Sequence, residues 1–132
     1  MSREKPIILV VDDEESFLEI MSTKLRSSGF DVALAHNGGE AFTEASKLMP
    51  DLILMDINMP GGTGTDAALA IKQNPTTKGL KIAFLTSMQD PWPSVHGDKE
   101  KLAQALGMED FIQKTDDLDI TVGKIREILK RE

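Results

Sequence analysis

Four short apolar runs punctuate the chain: Ile7–Val11, Val32–Ala35, Leu52–Met55 and Ile82–Leu85. The first, third and fourth are continuous rather than alternating, a pattern that suits parallel strands buried on both faces. The segment "EDFIQK" at 109–114 is a weaker fifth candidate. Helical spacing fills the intervals. Phe17, Met21 and Leu25 recur every four residues, and Gly29 follows as a C-terminal stop. Ala41, Ala45 and Leu48 precede Pro50, and Ala67, Ala68 and Ile71 form a small-residue face before Pro75. Leu102, Ala105 and Leu106 precede Gly107. Leu118, Val122, Ile125 and Leu129 make the clearest amphipathic helix in the chain. Alternating strands and helices predict an α/β fold, a parallel sheet covered by helices on both faces. The least regular stretch is "SMQDPWPSVHGD" at 87–98, where Pro91, Pro93 and Gly97 oppose regular structure. It is expected to shorten or displace the fourth helix.

Composition narrows the class without changing this picture. At 132 residues, 40% hydrophobic and 28% charged, the chain is expected to form one globular domain over 1–132. No linker divides it, and nothing in it is expected to serve as a separate output domain. A net charge of −7 argues against direct nucleic-acid binding through a basic surface. With no cysteine, disulfides, thiolate chemistry and cysteine-ligated zinc are excluded, which fits a cytoplasmic protein. The apolar run in "MSREKPIILVV" is too short for a signal-peptide core or a membrane span, so no membrane insertion is expected.

In a parallel α/β sheet, functional groups gather beyond the carboxyl ends of the strands. Asp12 and Asp13 stand at the end of the first predicted strand, Asp56 at the third, Thr86 and Ser87 at the fourth and Lys114 at the fifth. Three converging carboxylates repel unless a cation intervenes, and Mg2+ with oxygen ligands resolves the repulsion. Lys114 adds a point charge and Thr86 a hydroxyl donor, a set able to hold the oxygens of a phosphoryl group. One carboxylate among them can act as nucleophile. Pro60, Gly61, Gly62 and Gly64 would turn the chain away from Asp56 without covering it, leaving the Asn58 carbonyl for the metal.

The segments "VVDDEESF", "LILMDINMPGGTG", "FLTS" and "FIQK", in this order, resemble a response-regulator receiver domain of two-component signalling. The likeness runs from about Pro6 to Arg131. It implies a doubly wound, flavodoxin-like five-stranded parallel sheet of order 2-1-3-4-5 with five helices. It implies that Asp56 accepts phosphoryl from a histidine kinase or a histidine phosphotransfer protein, and that the domain signals to a downstream protein target. It further implies Mg2+ held by Asp12, Asp13, Asp56 and the Asn58 backbone carbonyl, with Asp13 the more direct of the paired acids. Thr86 and Lys114 would bind phosphoryl oxygens, and Phe111 would occupy the aromatic switch position. Such a domain catalyses its own phosphorylation and slow dephosphorylation without being a turnover enzyme on other substrates.

Three departures from the family pattern stand out. Thr115 replaces the proline that usually follows the lysine, and a trans Lys114–Thr115 bond is expected because a cis bond before a non-proline residue costs about 3 kcal/mol. The interval from Thr86 to Lys114 is longer than is usual. Met88 stands where side chains near the phosphate influence hydrolysis.

Plainer readings exist for each residue. Asp56 alone would pass for a turn residue, Asp13 for the N-cap of a helix starting at Glu14, Lys114 for a surface lysine and Phe111 for simple core. Trp92 could anchor a partner or fold onto its own loop, and His36 and His96 have no metal-ligand spacing. The five polar residues at four strand ends favour function for the set. A pseudo-receiver, acting as a phosphate-independent interaction module, is the alternative. A Mg2+-dependent phosphatase is disfavoured because Asn58 stands where such enzymes carry a general-acid aspartate.

Overall fold

The computed structural model describes residues 5–57, 59, 64–86, 110–114 and 117–131. Strands β1 (Ile7–Val11), β2 (Asp31–Ala35), β3 (Leu52–Asp56), β4 (Ile82–Thr86) and β5 (Asp110–Gln113) form one sheet in the order β2-β1-β3-β4-β5. Every pairing is parallel. Helices α1 (Glu15–Ser27), α2 (Gly38–Leu48), α3 (Gly64–Gln73) and α4 (Leu118–Lys130) accompany it. This is the expected doubly wound, flavodoxin-like arrangement, with four helices among the described residues. The helix expected around Leu102–Leu106 and the irregular 87–98 segment, with Trp92 and His96, lie outside them.

The unbroken apolar runs are explained by two cores. Successive strand residues point to opposite faces. Leu9, Val11, Ile53, Met55, Ile82, Phe84 and Phe111 pack on one side with Ala41 and Ala45 of α2 and Ala68 and Ile71 of α3. Ile8, Val10, Leu52, Leu54, Ala83, Leu85 and Ile112 pack on the other with α1 and α4 through Leu18, Met21, Leu25, Val122, Ile125 and Ile128. Both faces are covered, so no position along a central strand can be polar until the strand leaves the cores.

Local signals set the helix ends. Gly29 takes φ +98°, the left-handed geometry that ends α1, and its neighbour Phe30 donates its N–H to the Leu25 carbonyl at 3.1 Å. Asn37 caps α2 by accepting from the Glu40 N–H at 2.9 Å. A Cβ at Gly38 would lie 3.1 Å from the Ala67 Cβ, which shows how closely α2 approaches the small-residue face of α3. Two strands run one residue further than their apolar runs. Asp56 pairs with Leu85 and Thr86 with Gln113, so the ladder continues through polar residues that hydropathy cannot mark.

His36, between β2 and α2, ties that connection to α1. Its Nε2 lies 2.6 Å from Glu15 and its Nδ1 2.9 Å from Glu40. A neutral imidazole has one N–H, so carboxylates at both nitrogens favour the doubly protonated ring. The Glu40 hydrogen bond, opposed by burial and aided by the Glu15 charge, raises the His36 pKa. The same bond lowers the Glu40 pKa. A raised pKa stabilises the fold below the unfolded histidine value of about 6.5, and the contribution is lost as pH rises through the folded value. Thermal unfolding followed by circular dichroism is expected to show a small loss of Tm from about pH 6 to pH 8, flattened in His36→Gln. The effect stays small because both partners are solvent-exposed.

Candidate functional site

The parallel register delivers four polar residues to one edge of the sheet. Asp12 follows β1 and donates its N–H to Ala35 of β2 at 3.1 Å. Asp56 ends β3, and Ile57 donates to Leu85 of β4 at 3.1 Å. Thr86 ends β4, and its carbonyl accepts from Lys114 N at 2.7 Å. These bonds extend the ladder just past the apolar cores and hold each functional backbone at the same level. The carboxylates of Asp12 and Asp56 and the hydroxyl-bearing Thr86 are buried. Asp13 is exposed beside them.

Asp12, Asp13 and Asp56 each offer a carboxylate oxygen within 4.8 Å of the other two. The Lys114 ammonium sits against this cluster. Its Nζ is 2.8 Å from Asp12 Oδ2, 2.8 Å from Glu14 Oε1 and 3.7 Å from Asp56 Oδ2. It also lies 4.7 Å from the centroid of the Phe17 ring, a cation–π contact. Burial works to lower the Lys114 pKa, but the adjoining Asp12 and Glu14 carboxylates and the charge of Asp56 outweigh it and hold the group protonated.

Two buried atoms stay without a hydrogen-bond partner among the described residues, Asp12 Oδ2 and Thr86 Oγ1. Lys114 approaches Oδ2 closely as an ion pair, but at an angle that makes no hydrogen bond. Buried polar atoms left so are uncommon in native proteins and mark a place where a ligand completes the shell. The donors fit two ligands at once. Three carboxylate oxygens suit a hard divalent cation, and a hydroxyl and an ammonium at the same edge of the sheet suit an oxyanion.

The structure therefore brings together Asp12, Asp13, Asp56, Thr86 and Lys114, the residues singled out in the sequence. Asn58, the Pro60–Gly62 turn, Met88 and the Lys114–Thr115 bond lie outside the described residues. Gly64 is the first residue of α3. Phe111 is buried three residues before Lys114, its ring 5.5 Å from that of Phe84 and tilted by 34°. One expectation needs correction. Asp13 is not the N-cap of α1; that position is held by Glu14, which makes no side-chain cap bond. Asp12 Oδ1 instead accepts from the Glu14 N–H at 2.9 Å, so the buried acid braces the turn and Asp13 points to solvent. Sequence reasoning missed Glu14 and Phe17. Their signal was weak: three residues apart at a helix start, they share a face that only the fifth strand's lysine makes meaningful.

The response regulator receiver domain family matches residues 8–126. The chain belongs to this family. Receiver domains are signalling modules rather than metabolic enzymes, and they bind Mg2+ at an acidic pocket of the kind formed here by Asp12, Asp13 and Asp56. The chain is 33% identical over 124 residues to the DNA-binding response regulator MtrA of Mycolicibacterium smegmatis, covering 94% of this chain and 50% of that protein. It is 28% identical to the response regulator PleD of Caulobacter vibrioides, covering 93% of this chain and 26% of the relative. The receiver thus spans half or less of the length of these relatives. Among solved structures, the chemotaxis protein CheY4 of Vibrio cholerae superposes with a TM-score of 0.80 at 27% identity, covering 94% of this chain and 98% of that one. A signal receiver domain of a histidine kinase from Syntrophus aciditrophicus superposes equally well, with a TM-score of 0.80 at 27% identity over 96% and 94% of the two chains. Among the described residues no helix is long and apolar enough to cross a membrane.

The charge balance of the receiver site predicts a stability effect. Lys114→Met leaves Asp12 buried beside Asp56 without its counter-charge, and unfolding in urea is expected to show a loss of roughly 2 kcal/mol. Adding Asp12→Asn to that variant recovers part of the loss. An unchanged midpoint in Lys114→Met would show that the ion pair does not stabilise the cluster.

Proposed function

We propose that this receiver accepts a phosphoryl group onto Asp56 from the phosphohistidine of a histidine kinase or a histidine phosphotransfer protein, and signals by altered binding to a downstream protein. The observation that carries the proposal is the buried Asp56 carboxylate at a strand end, 3.7 Å from a lysine that is itself held by Asp12. An Asp56 oxygen attacks phosphorus in line, a P–O bond forms, and the P–N bond to the departing imidazole breaks. Lys114 offsets charge on the phosphoryl oxygens, and the unpartnered Thr86 hydroxyl donates to one of them. Asp12, Asp13, Asp56 and the Asn58 carbonyl would hold Mg2+, which neutralises phosphoryl charge when bound. Phe111 is the aromatic residue through which the state of the site would reach the surface, given its place on β5 ahead of Lys114. The chain's net charge of −7 supports a protein target rather than direct contact with nucleic acid by this domain. A cytoplasmic location accords with this role.

The pseudo-receiver alternative draws on Thr115 but leaves the converged acids and lysine without a task. Incubation with acetyl phosphate and Mg2+, followed by intact-mass measurement, separates the two. One phosphoryl group is expected on the native chain and none on Asp56→Asn or after Mg2+ is chelated. A native chain that stays unlabelled would establish the pseudo-receiver instead.

The metal assignment has its own test. A Mg2+ titration followed by amide NMR is expected to shift residues 12–13 and 56–58. Shifts confined to other parts of the chain would remove these residues as ligands.

A further inference from the structure

The backbone of Glu14 opens α1, but its side chain has no part in the phosphoryl chemistry above. It stands at the start of α1, makes no side-chain cap bond, and its side chain is 59% exposed. Yet its carboxylate accepts a hydrogen bond of 2.8 Å from the Lys114 ammonium. The lysine reaches the Asp12 carboxylate as an ion pair and stays 3.7 Å from Asp56. Phe17, one turn along α1, places its ring 4.7 Å from the same Nζ. Glu14, Asp12 and Phe17 thus form a cradle that holds the ammonium short of the nucleophile.

Oxygens on phosphorus at Asp56 would compete with the Glu14 carboxylate for the three N–H donors of Lys114. The Glu14 bond holds one of those donors. It is lost, or shared, when the phosphoryl oxygens become the stronger acceptors. From this geometry we propose that Glu14 is a positioning residue that retains Lys114 in the unphosphorylated state and so restrains phosphorylation of Asp56. The inference rests on the phosphoacceptor role proposed above and assigns its rate control to a residue outside the acidic cluster.

The test compares acetyl phosphate concentration series with Mg2+ for the native chain, Glu14→Gln and Glu15→Gln. Glu15 is the matched control: its loss removes the same charge from the same helix start, but its carboxylate faces His36 rather than Lys114. Glu14→Gln is expected to raise the rate at saturating phosphodonor about two- to fivefold, the scale of a partly exposed charge pair. Glu15→Gln is expected to lower only the KM for the anionic donor, through reduced repulsion. In a Lys114→Met background the Glu14→Gln effect on the saturating rate disappears. A second reading needs no phosphodonor: the Lys114 15Nζ resonance moves in Glu14→Gln and stays in Glu15→Gln.

An unchanged or slower saturating rate in Glu14→Gln, with the native chain labelled at Asp56, overturns this inference and leaves the phosphoacceptor role standing. Equal acceleration in both variants overturns it in favour of a general charge effect. A native chain that takes no phosphoryl group overturns both.

Discussion

Asp12 has no exposure to solvent, and one of its oxygens lies 2.8 Å from the Lys114 ammonium. Carboxylates do not enter protein interiors without a counter-charge, because desolvation costs several kcal/mol per ion. Here two acids from β1 and β3 are buried side by side, and the lysine that follows β5 is the cation that reaches both. Since β1 and β5 are separated by β3 and β4, this contact spans most of the sheet's width. It also explains why the site sits where it does. The faces of the sheet are filled by apolar side chains, and the carboxyl edge is where the strands leave both cores at once.

The backbone makes that edge stiff enough to be useful. Asp12, Asp56, Thr86 and Lys114 are each the last member of a ladder or the first residue beyond it, and Asp12, Ile57 and Lys114 still donate to a neighbouring strand. A side chain anchored this way loses little further entropy when a ligand arrives, which is the structural meaning of preorganisation. Among the described residues the Thr86 hydroxyl has no hydrogen-bond partner, and Asp12 Oδ2 meets Lys114 as an ion pair without a hydrogen bond. Buried polar atoms left in this way are uncommon in native interiors.

Lys114 faces three carboxylates at unequal distances, 2.8 Å from Asp12, 2.8 Å from Glu14 and 3.7 Å from Asp56. Asp12 belongs to the buried cluster, Asp56 is the proposed nucleophile, and Glu14 is the exposed contributor that α1 brings in beside Phe17. Three negative groups around one positive group make its position a balance rather than a fixed point. Lys114 directly follows β5, the strand that also carries Phe111 against Phe84.

The positions of four strands, and the burial of three of them on both faces, were legible from four apolar runs, and the fifth strand only from the weaker segment 109–114. Asp12, Asp56 and Thr86 were legible for the same reason, each being a polar residue at the point where such a run stops, and Lys114 from its place at the end of the weaker fifth segment. Strand boundaries were blurred by one residue at Asp31, Asp56 and Thr86, because backbone pairing continues where hydropathy ends. Sequence could not separate Asp13 from Glu14 at the helix start. Both are acids suited to that turn, and only the direction of the chain leaving β1 turns Asp13 to solvent and seats Glu14 as the cap residue. The meeting of Glu14 and Phe17 with Lys114, 100 residues after Glu14, was decided by tertiary structure alone, because it depends on α1 and β5 reaching the same edge of the sheet, a relation set by strand order and not by any local pattern.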